Sequence, residues 1–241
     1  MASPNGAKET PAAVKLDMPE RCRLYYITDR TAFAADEPTR RRRLLKKIAE
    51  AAHAGVDYIQ LRERDLTTGE LELLAREAVR SIHETRTLAT ALLINSRSDV
   101  ALAVGAEGVH LRSDDLSPRS VTDIWKKCGA GTPARENEPQ NPLIGVSCHR
   151  PEEVLQAKSD GATFAVFAPV FEKKILPTAQ PAGLTQLRQA CKGDIPVLAL
   201  GGITLENAKS CLEAGAAGIA AIRLFQENDV AGVVESLHQL G

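Results

Sequence analysis

Eight short apolar runs alternate with helical stripes, and a glycine step recurs at nearly even intervals; together these predict an α/β fold, a single (β/α)₈ TIM barrel. The length agrees. A chain of 241 residues suits one such barrel and buries enough surface to need no disulfide or metal staple. Apolar residues make up 44% and charged residues 25%, which are ordinary globular proportions. A formal net charge of −1 gives no long-range field to draw in nucleic acid or an anionic membrane. Any anion bound by this chain must be held locally.

The eight runs are Leu24–Thr28, Tyr58–Leu61, Leu92–Asn95, Gly108–Leu111, Leu143–Val146, Phe164–Ala168, Val197–Leu200 and Gly218–Ile222. Most are continuously apolar, as strands are when helices cover one face and a barrel interior the other. Between them lie helical patterns. Leu44, Leu45, Ile48, Ala51 and Ala52 form one stripe on an otherwise basic helix, and Leu71, Leu74, Ala75 and Val79 form another after Thr68-Gly69. The basic run Arg40–Arg43 reads as the exposed start of the first helix rather than a nucleic-acid surface.

Four helix ends enter strands through a shared pattern: His53-Ala-Gly-Val-Asp-Tyr-Ile, Val104-Gly-Ala-Glu-Gly-Val, Asp160-Gly-Ala-Thr-Phe-Ala and Ala214-Gly-Ala-Ala-Gly-Ile. Gly55, Gly105, Gly161 and Gly215 each suit the left-handed residue that follows a helix. They stand 50, 56 and 54 residues apart, two βα modules of about 25 residues per step.

Residues 1–20, polar and proline-bearing, read as a flexible tail ahead of a catalytic barrel over 21–241. They lack the apolar stretch of a signal peptide, and no apolar run is long enough to span a membrane. The cysteines (Cys22, Cys128, Cys148, Cys191, Cys211) are odd in number and unclustered, which argues against a disulfide framework or zinc site and for a reducing cytoplasm. Cys128–Pro142, rich in glycine, proline and polar residues, reads as a loop on the amino-terminal face.

In this fold, functional groups stand at the carboxyl ends of strands and in the loops that follow. After the seventh run, Gly201 and Gly202 let backbone approach an anion, and Thr204 can cap the next helix; a plain tight turn is the alternative. After the eighth, Ile222 precedes Arg223, a charge at the usual phosphate site. After the second, Gln60, Arg62 and Arg64 share one side of an extended segment. Two guanidiniums there fit a phosphate or diphosphate, or else they pair with Glu63 and Asp65. Asn95-Ser-Arg-Ser-Asp99 follows the third run and His110-Leu-Arg-Ser-Asp114-Asp115 the fourth. Adjacent acids in an arginine-rich mouth point to Mg²⁺ shared with a diphosphate, unless Asp115 or Ser117 simply caps a helix. After the fifth, Ser147 can hydrogen-bond a ligand and His149 can move a proton; capping and solvent exposure are the plainer readings. Cys148 has no fixed base beside it except His149. After the sixth, Lys173 and Lys174 either neutralise a leaving anion or are solvated.

Read together, Tyr25-Tyr-Ile-Thr-Asp29, Gly55-Val-Asp-Tyr-Ile-Gln-Leu-Arg-Glu-Arg64, Leu93-Ile-Asn95, Gly105-Ala-Glu-Gly-Val-His-Leu111, Gly145-Val-Ser-Cys-His149, Ala168-Pro-Val-Phe171 and Ala199-Leu-Gly-Gly-Ile203 resemble the thiamin phosphate synthase superfamily, including its thiazole tautomerase (TenI) branch. The likeness covers residues 23 to 239. It implies an enzyme of thiamine biosynthesis that joins a hydroxymethylpyrimidine diphosphate to a thiazole phosphate, releasing diphosphate. By the same resemblance Gln60 and Asn95 hold the pyrimidine and diphosphate, Arg62 and Arg64 bind the diphosphate, and Asp115, with Asp114 beside it, binds Mg²⁺. Ser147 touches the diphosphate, Gly202 and the loop at Ile222–Arg223 bind the thiazole phosphate, and Arg62, Ser147 and His149 are the candidate catalytic residues.

Three departures stand out. Ser96 follows Asn95 where the family usually has a magnesium-binding aspartate, Arg112-Ser113 replaces Gly-Gln, and Glu172-Lys-Lys-Ile-Leu replaces a threonine-bearing loop; Arg64 also stands where lysine is usual. Losing a carboxylate weakens a magnesium site. Arg112, Lys173 and Lys174 then become candidates to take over charge neutralisation. The synthase is the favoured reading, since Gln60, Asp114 and Asp115 look like that branch. A thiazole tautomerase using His149, or a non-catalytic barrel that binds phosphorylated ligands, are the alternatives. A homodimer is the general expectation for such barrels.

Overall fold

The computed structural model describes residues 21–85, 90–129, 141–172 and 180–240. The expected tail over 1–20, most of the expected loop over 128–142, and Lys173 and Lys174 lie outside the described residues. Eight parallel strands pair in chain order and close on themselves. They are β1 (Arg23–Ile27), β2 (Tyr58–Leu61), β3 (Ala91–Asn95), β4 (Gly108–Leu111), β5 (Leu143–Cys148), β6 (Phe164–Phe167), β7 (Val197–Ala199) and β8 (Gly218–Ala221). Helices alternate with them: α1 (Glu37–Ala54), α2 (Thr68–Glu84), α3 (Ser98–Val104), α4 (Pro118–Gly129), α5 (Pro151–Ser159), α6 (Gly183–Ala190) and α7 (Leu205–Glu213), with α8 (Arg223–Gln226) and α9 (Val230–His238) after β8.

Each of the eight apolar runs is a strand, with ends displaced by at most two residues. β5 runs furthest past its expected end, because Ser147 and Cys148 pair with Val166 and Phe167 of β6. Ser147 therefore stands within the strand rather than after it, and helix capping by it is ruled out.

The alternation of side chains divides the core in two. Tyr26, Ile59, Ile94, Val109, Ile144 and Ile219 face outward into a shell with Leu44, Ile48, Leu71 and Leu74 of the helices. Tyr25, Ile27, Leu93, Phe164, Val166, Leu198 and Ala220 fill the barrel. Each large aliphatic or phenylalanine side chain among these contributes about 1.5–3 kcal/mol by leaving water, which is why the strands are apolar outward and, below the mouth, largely apolar inward as well. The interior plug is aromatic. Tyr58 stacks on Phe164 at 5.0 Å between ring centroids, and Tyr25 meets Phe164 edge-on at 5.5 Å. Gly145 leaves room for it, since a Cβ there would lie 2.6 Å from the Phe164 ring and 2.9 Å from His110 Nδ1.

Local signals set the helices. Asp36 caps α1 by accepting from the Thr39 N–H at 3.0 Å. Thr67 and Glu70 form a capping box at the start of α2, so Thr68 and Gly69 belong to that helix rather than preceding it. Gly55, Gly105, Gly161 and Gly215 all have positive φ, as the repeated helix-to-strand pattern requires. Arg42 and Arg43 are exposed on α1, as expected. The expected loop begins inside α4, which includes Cys128 and Gly129.

Candidate active site

At the carboxyl end of the barrel, above the aromatic plug, the inward positions of β2 to β5 turn polar. Gln60 is buried, and its amide nitrogen donates to Asn95 Oδ1 at 3.1 Å. The Asn95 amide donates to Ser96 Oγ at 3.1 Å, and the Ser96 hydroxyl donates to Asp115 Oδ2 at 2.6 Å. Ser96 has φ +58, the one non-glycine residue with positive φ among the described residues. Left-handed backbone in an L-residue costs roughly 1–2 kcal/mol. The bonds to Asp115 and from the Ser96 N–H to the His110 carbonyl, at 2.9 Å, hold it there. A continuous chain of polar groups thus joins β2, β3 and the loop after β4.

The acids and arginines after β2 separate. Arg30, in a 3-10 turn over Arg30–Ala32 after β1, is buried, and its guanidinium meets Glu63 at 3.2 Å, Asp65 at 2.7 Å and Glu37 at 2.7 Å. Glu63 is itself buried and also accepts from the Thr28 hydroxyl at 2.6 Å and from the Arg30 N–H. Burial pushes the Glu63 carboxyl up, against the pull of these donors. Glu63 and Asp65 are therefore spoken for, and the alternative in which they neutralise Arg62 and Arg64 is overturned. Neither Arg62 nor Arg64 forms an ion pair among the described residues. Arg62 is half-buried, and burial together with the nearby charges of Arg64 and Arg112 holds its pKa below the usual arginine value. Like charges gathered in this way form a site that an anion relieves.

A buried relay links β1, β4 and β5. The Tyr25 hydroxyl lies 3.1 Å from His110 Nδ1, and His110 Nε2 lies 2.8 Å from Ser147 Oγ. Burial pushes the His110 pKa down to about 3, so the ring is neutral and carries one proton. Tyr25 is fully buried and its hydroxyl proton needs an acceptor, which assigns Nδ1 as acceptor and Nε2–H as donor to Ser147. The Ser147 hydroxyl proton is then free to point toward the mouth.

Beyond Ser147 the pattern opens to solvent. His149 is exposed, with Nδ1 donating to the Ala168 carbonyl at 2.7 Å and its backbone N–H donating to Glu153 at 2.6 Å; its Nε2 remains available. Cys148 is buried in the outer shell, and burial raises its thiol pKa to about 12, so it is no nucleophile. In the loop after β7, Gly201 and Gly202 have φ +100 and +64. A Cβ at Gly202 would lie 2.6 Å from the Glu172 carbonyl, so the glycines let this loop nest against the one after β6. Asn207 pins the turn by accepting from the Thr204 N–H at 2.8 Å and donating to the Gly202 carbonyl at 2.9 Å. Ile222 and exposed Arg223 stand at the start of α8.

Gln60, Arg62, Arg64, Asn95, Asp114, Asp115 and Ser147 thus share the β2–β5 side of the mouth, and Gly201, Gly202, Ile222 and Arg223 the β7–β8 side. Asp115 does not cap α4; Ser117 does, accepting from Ser120 N–H at 3.2 Å. Sequence reasoning missed Arg30, Thr28 and Tyr25 and assigned His110 no role. A histidine amid an otherwise apolar strand was the visible signal for the last.

A closed (β/α)₈ barrel whose mouth gathers arginines, amides and glycine turns defines the class: a barrel enzyme of the kind that works at its carboxyl face. The chain belongs to the thiamine monophosphate synthase family (TMP-TENI), whose model matches residues 24–225. It is 36% identical to the thiamine-phosphate synthase of Syntrophomonas wolfei over 90% of this chain and 95% of that one. It is 34% identical to the thiamine-phosphate synthase of Pyrococcus abyssi over 92% and 95% of the two chains. The solved thiamine phosphate pyrophosphorylase of Pyrococcus furiosus superposes with a TM-score of 0.70 at 30% identity, covering 90% of this chain and 94% of its own.

Proposed function

We propose that this chain is a thiamine-phosphate synthase, a transferase of thiamine biosynthesis that couples hydroxymethylpyrimidine diphosphate to thiazole phosphate and releases diphosphate. The observation that carries it is the pair Arg62 and Arg64, left without acidic partners because Arg30 takes Glu63 and Asp65. Two guanidiniums beside a hydrogen-bonding amide pair suit a diphosphate joined to a polar ring.

In this reading Gln60 and Asn95 orient the pyrimidine, and Arg62, Arg64 and the Ser147 hydroxyl grip the diphosphate. The bond between the hydroxymethyl carbon and the diphosphate oxygen breaks with its electron pair going to the oxygen. The arginines stabilise the charge that develops there. The thiazole nitrogen then donates its lone pair to the carbon and becomes the thiazolium, so no proton is transferred. Gly201, Gly202, Ile222 and Arg223 hold the thiazole phosphate, and the aromatic plug keeps water from below. Lys173 and Lys174, outside the described residues, remain candidates for the same diphosphate. His149, with Nε2 open to the mouth, is the group a thiazole tautomerase would use.

Magnesium, which the resemblance implies, would fall to Asp114 and Asp115. Among the described residues no group of three or more His, Cys, Asp or Glu side chains is placed to hold a metal ion. The two acids share the Arg112 guanidinium, with Nη2 at 3.3 Å from Asp114 and 3.4 Å from Asp115. As they stand, these residues do not fit a divalent cation. No helix among the described residues is long and apolar enough to cross a membrane. The reading carries with it a cytoplasmic setting, supported by the five free thiols, and a homodimer, which sedimentation would test.

Incubating the protein with both phosphorylated substrates tests the whole. Thiamin phosphate as product supports the synthase. Isomerised thiazole without coupling replaces it with the tautomerase, and binding without conversion replaces it with a non-catalytic barrel.

A further inference from the structure

We infer that Arg112 occupies the place of a divalent cation in this mouth, so that the chain binds its diphosphate through a cluster of three arginines and needs little or no metal to do so. The inference deepens the synthase reading and rests on it for the identity of the diphosphate ester. Four observations lead there. The first is position: Arg112 Nη2 stands between the Asp114 and Asp115 carboxylates at 3.3 and 3.4 Å. The second is saturation. Asp115 Oδ2 accepts from the Arg112 N–H at 2.7 Å and from the Ser96 hydroxyl at 2.6 Å, and Oδ1 accepts from Arg112 Nη2 at 3.4 Å, so both of its oxygens are engaged before any ligand arrives.

The third is the donor count. A guanidinium carries five N–H donors in a fixed fork. Those on Nη2 face the acids, while Nε and Nη1 of Arg112 have no partner among the described residues. Arg112 can therefore bridge the acids and a phosphate oxygen, as a hard cation would between carboxylate and diphosphate. The fourth is company. Arg112 is close enough to Arg62 for its charge to be felt there, beside that of Arg64. Three guanidiniums against two carboxylates leave a net positive charge aimed at a diphosphate. A divalent ion added to this set would have to displace a guanidinium already paired, and it would find one engaged carboxylate and one exposed one. Magnesium parts reluctantly with its water shell, so that exchange is unfavourable.

Calorimetry of the full chain with inorganic diphosphate, in EDTA and then in excess Mg²⁺, tests this. Wild type should bind in EDTA with an affinity within about threefold of that in Mg²⁺. Arg112→Ala should weaken binding in EDTA roughly tenfold to a hundredfold, the range for hydrogen bonds to charged groups, and should make binding respond to Mg²⁺. Arg112→Ala combined with Ser96→Asp should take up Mn²⁺ detectably by electron paramagnetic resonance, and wild type should not. The guanidinium is half-exposed, so the variants should fold, and circular dichroism checks that they do. Binding by wild type only in the presence of Mg²⁺, or undiminished EDTA binding by Arg112→Ala, overturns the inference. Either result leaves the synthase reading intact if thiamin phosphate is formed, and failure to form it leaves the diphosphate measurements standing.

Discussion

Replacing Arg30 with methionine probes the arrangement that leaves Arg62 and Arg64 without acidic partners, and its consequence can be worked from exposure alone. The Arg30 and Glu63 side chains are 4% and 1% exposed, whereas Asp65 and Glu37 are 56% and 51% exposed. Exposed pairs contribute little, so the loss is governed by Glu63. Removing one partner of a buried ion pair costs about 3–5 kcal/mol, because the other charge is left uncompensated. The Thr28 hydroxyl and the Arg30 backbone N–H still donate to Glu63, which places the expected loss near the lower end, about 3 kcal/mol. At roughly 2–4 °C per kcal/mol for a domain of this size, the melting temperature should fall by about 6–12 °C. The pH dependence gives the sharper test. Burial already raises the Glu63 pKa, and loss of Arg30 raises it further. A carboxyl whose folded pKa lies above its unfolded value of about 4.3 is a penalty that is complete above the folded pKa and fades as pH falls toward the unfolded one. The deficit in Arg30→Met should be largest at pH 8 and shrink toward pH 5, and adding Glu63→Gln should remove that slope. Thermal unfolding followed by circular dichroism at pH 5, 6.5 and 8 measures it. A deficit independent of pH, or a slope that survives Glu63→Gln, would refute the role given to Glu63.

Three further predictions concern the mouth and the shell behind it. His110→Ala removes the donor that orients Ser147 and should lower kcat about five- to tenfold, the effect of one neutral hydrogen bond. In wild type the pH profile of kcat between pH 5 and 9 should show no break from His110, whose pKa lies near 3; a ring that titrates near pH 6.5 by NMR contradicts the relay. Gly202→Ala places a Cβ 2.6 Å from the Glu172 carbonyl at φ +64. It should raise the KM for thiazole phosphate by tenfold or more with the pyrimidine KM little changed, and equal effects on both would move the thiazole site elsewhere. Cys148→Ala should keep coupling activity within a few-fold, and native protein should resist alkylation at that buried thiol; stoichiometric inactivation by iodoacetamide at Cys148 would restore it as a candidate nucleophile.

The barrel was legible because its physics is local. Each strand is apolar on its outward face and interrupted by at most one polar residue inside, so Tyr58–Leu61 and Gly108–Leu111 stand out as runs with their observed ends. Each helix-to-strand turn needs a left-handed residue, so the glycines at 55, 105, 161 and 215 repeat. Ends moved where partner strands decide them. Ser147 and Cys148 joined β5 through pairing with β6, a contact that no property of a serine announces.

The site was legible only in part, and the division has a physical cause. Gln60, Arg62 and Arg64 could be grouped because alternate residues of an extended segment share a face. What those arginines do depends on where Glu63 and Asp65 go, and that is decided by Arg30, 33 and 35 residues earlier in the chain. The same holds for Ser147, whose donor state is set by His110 and, through it, by Tyr25, and for Asp115, whose oxygens are claimed by Ser96 from the neighbouring strand's loop. In a closed parallel barrel, neighbours across the mouth come from different βα modules, so the partnerships that link one strand tip to the next are long-range in sequence. A strand's tip therefore reveals which chemical groups reach the mouth, while their protonation, pairing and availability are properties of the ring as a whole. The proposal that Arg62 and Arg64 are anion ligands draws its support from the ring, which supplies another cation for the acids beside them.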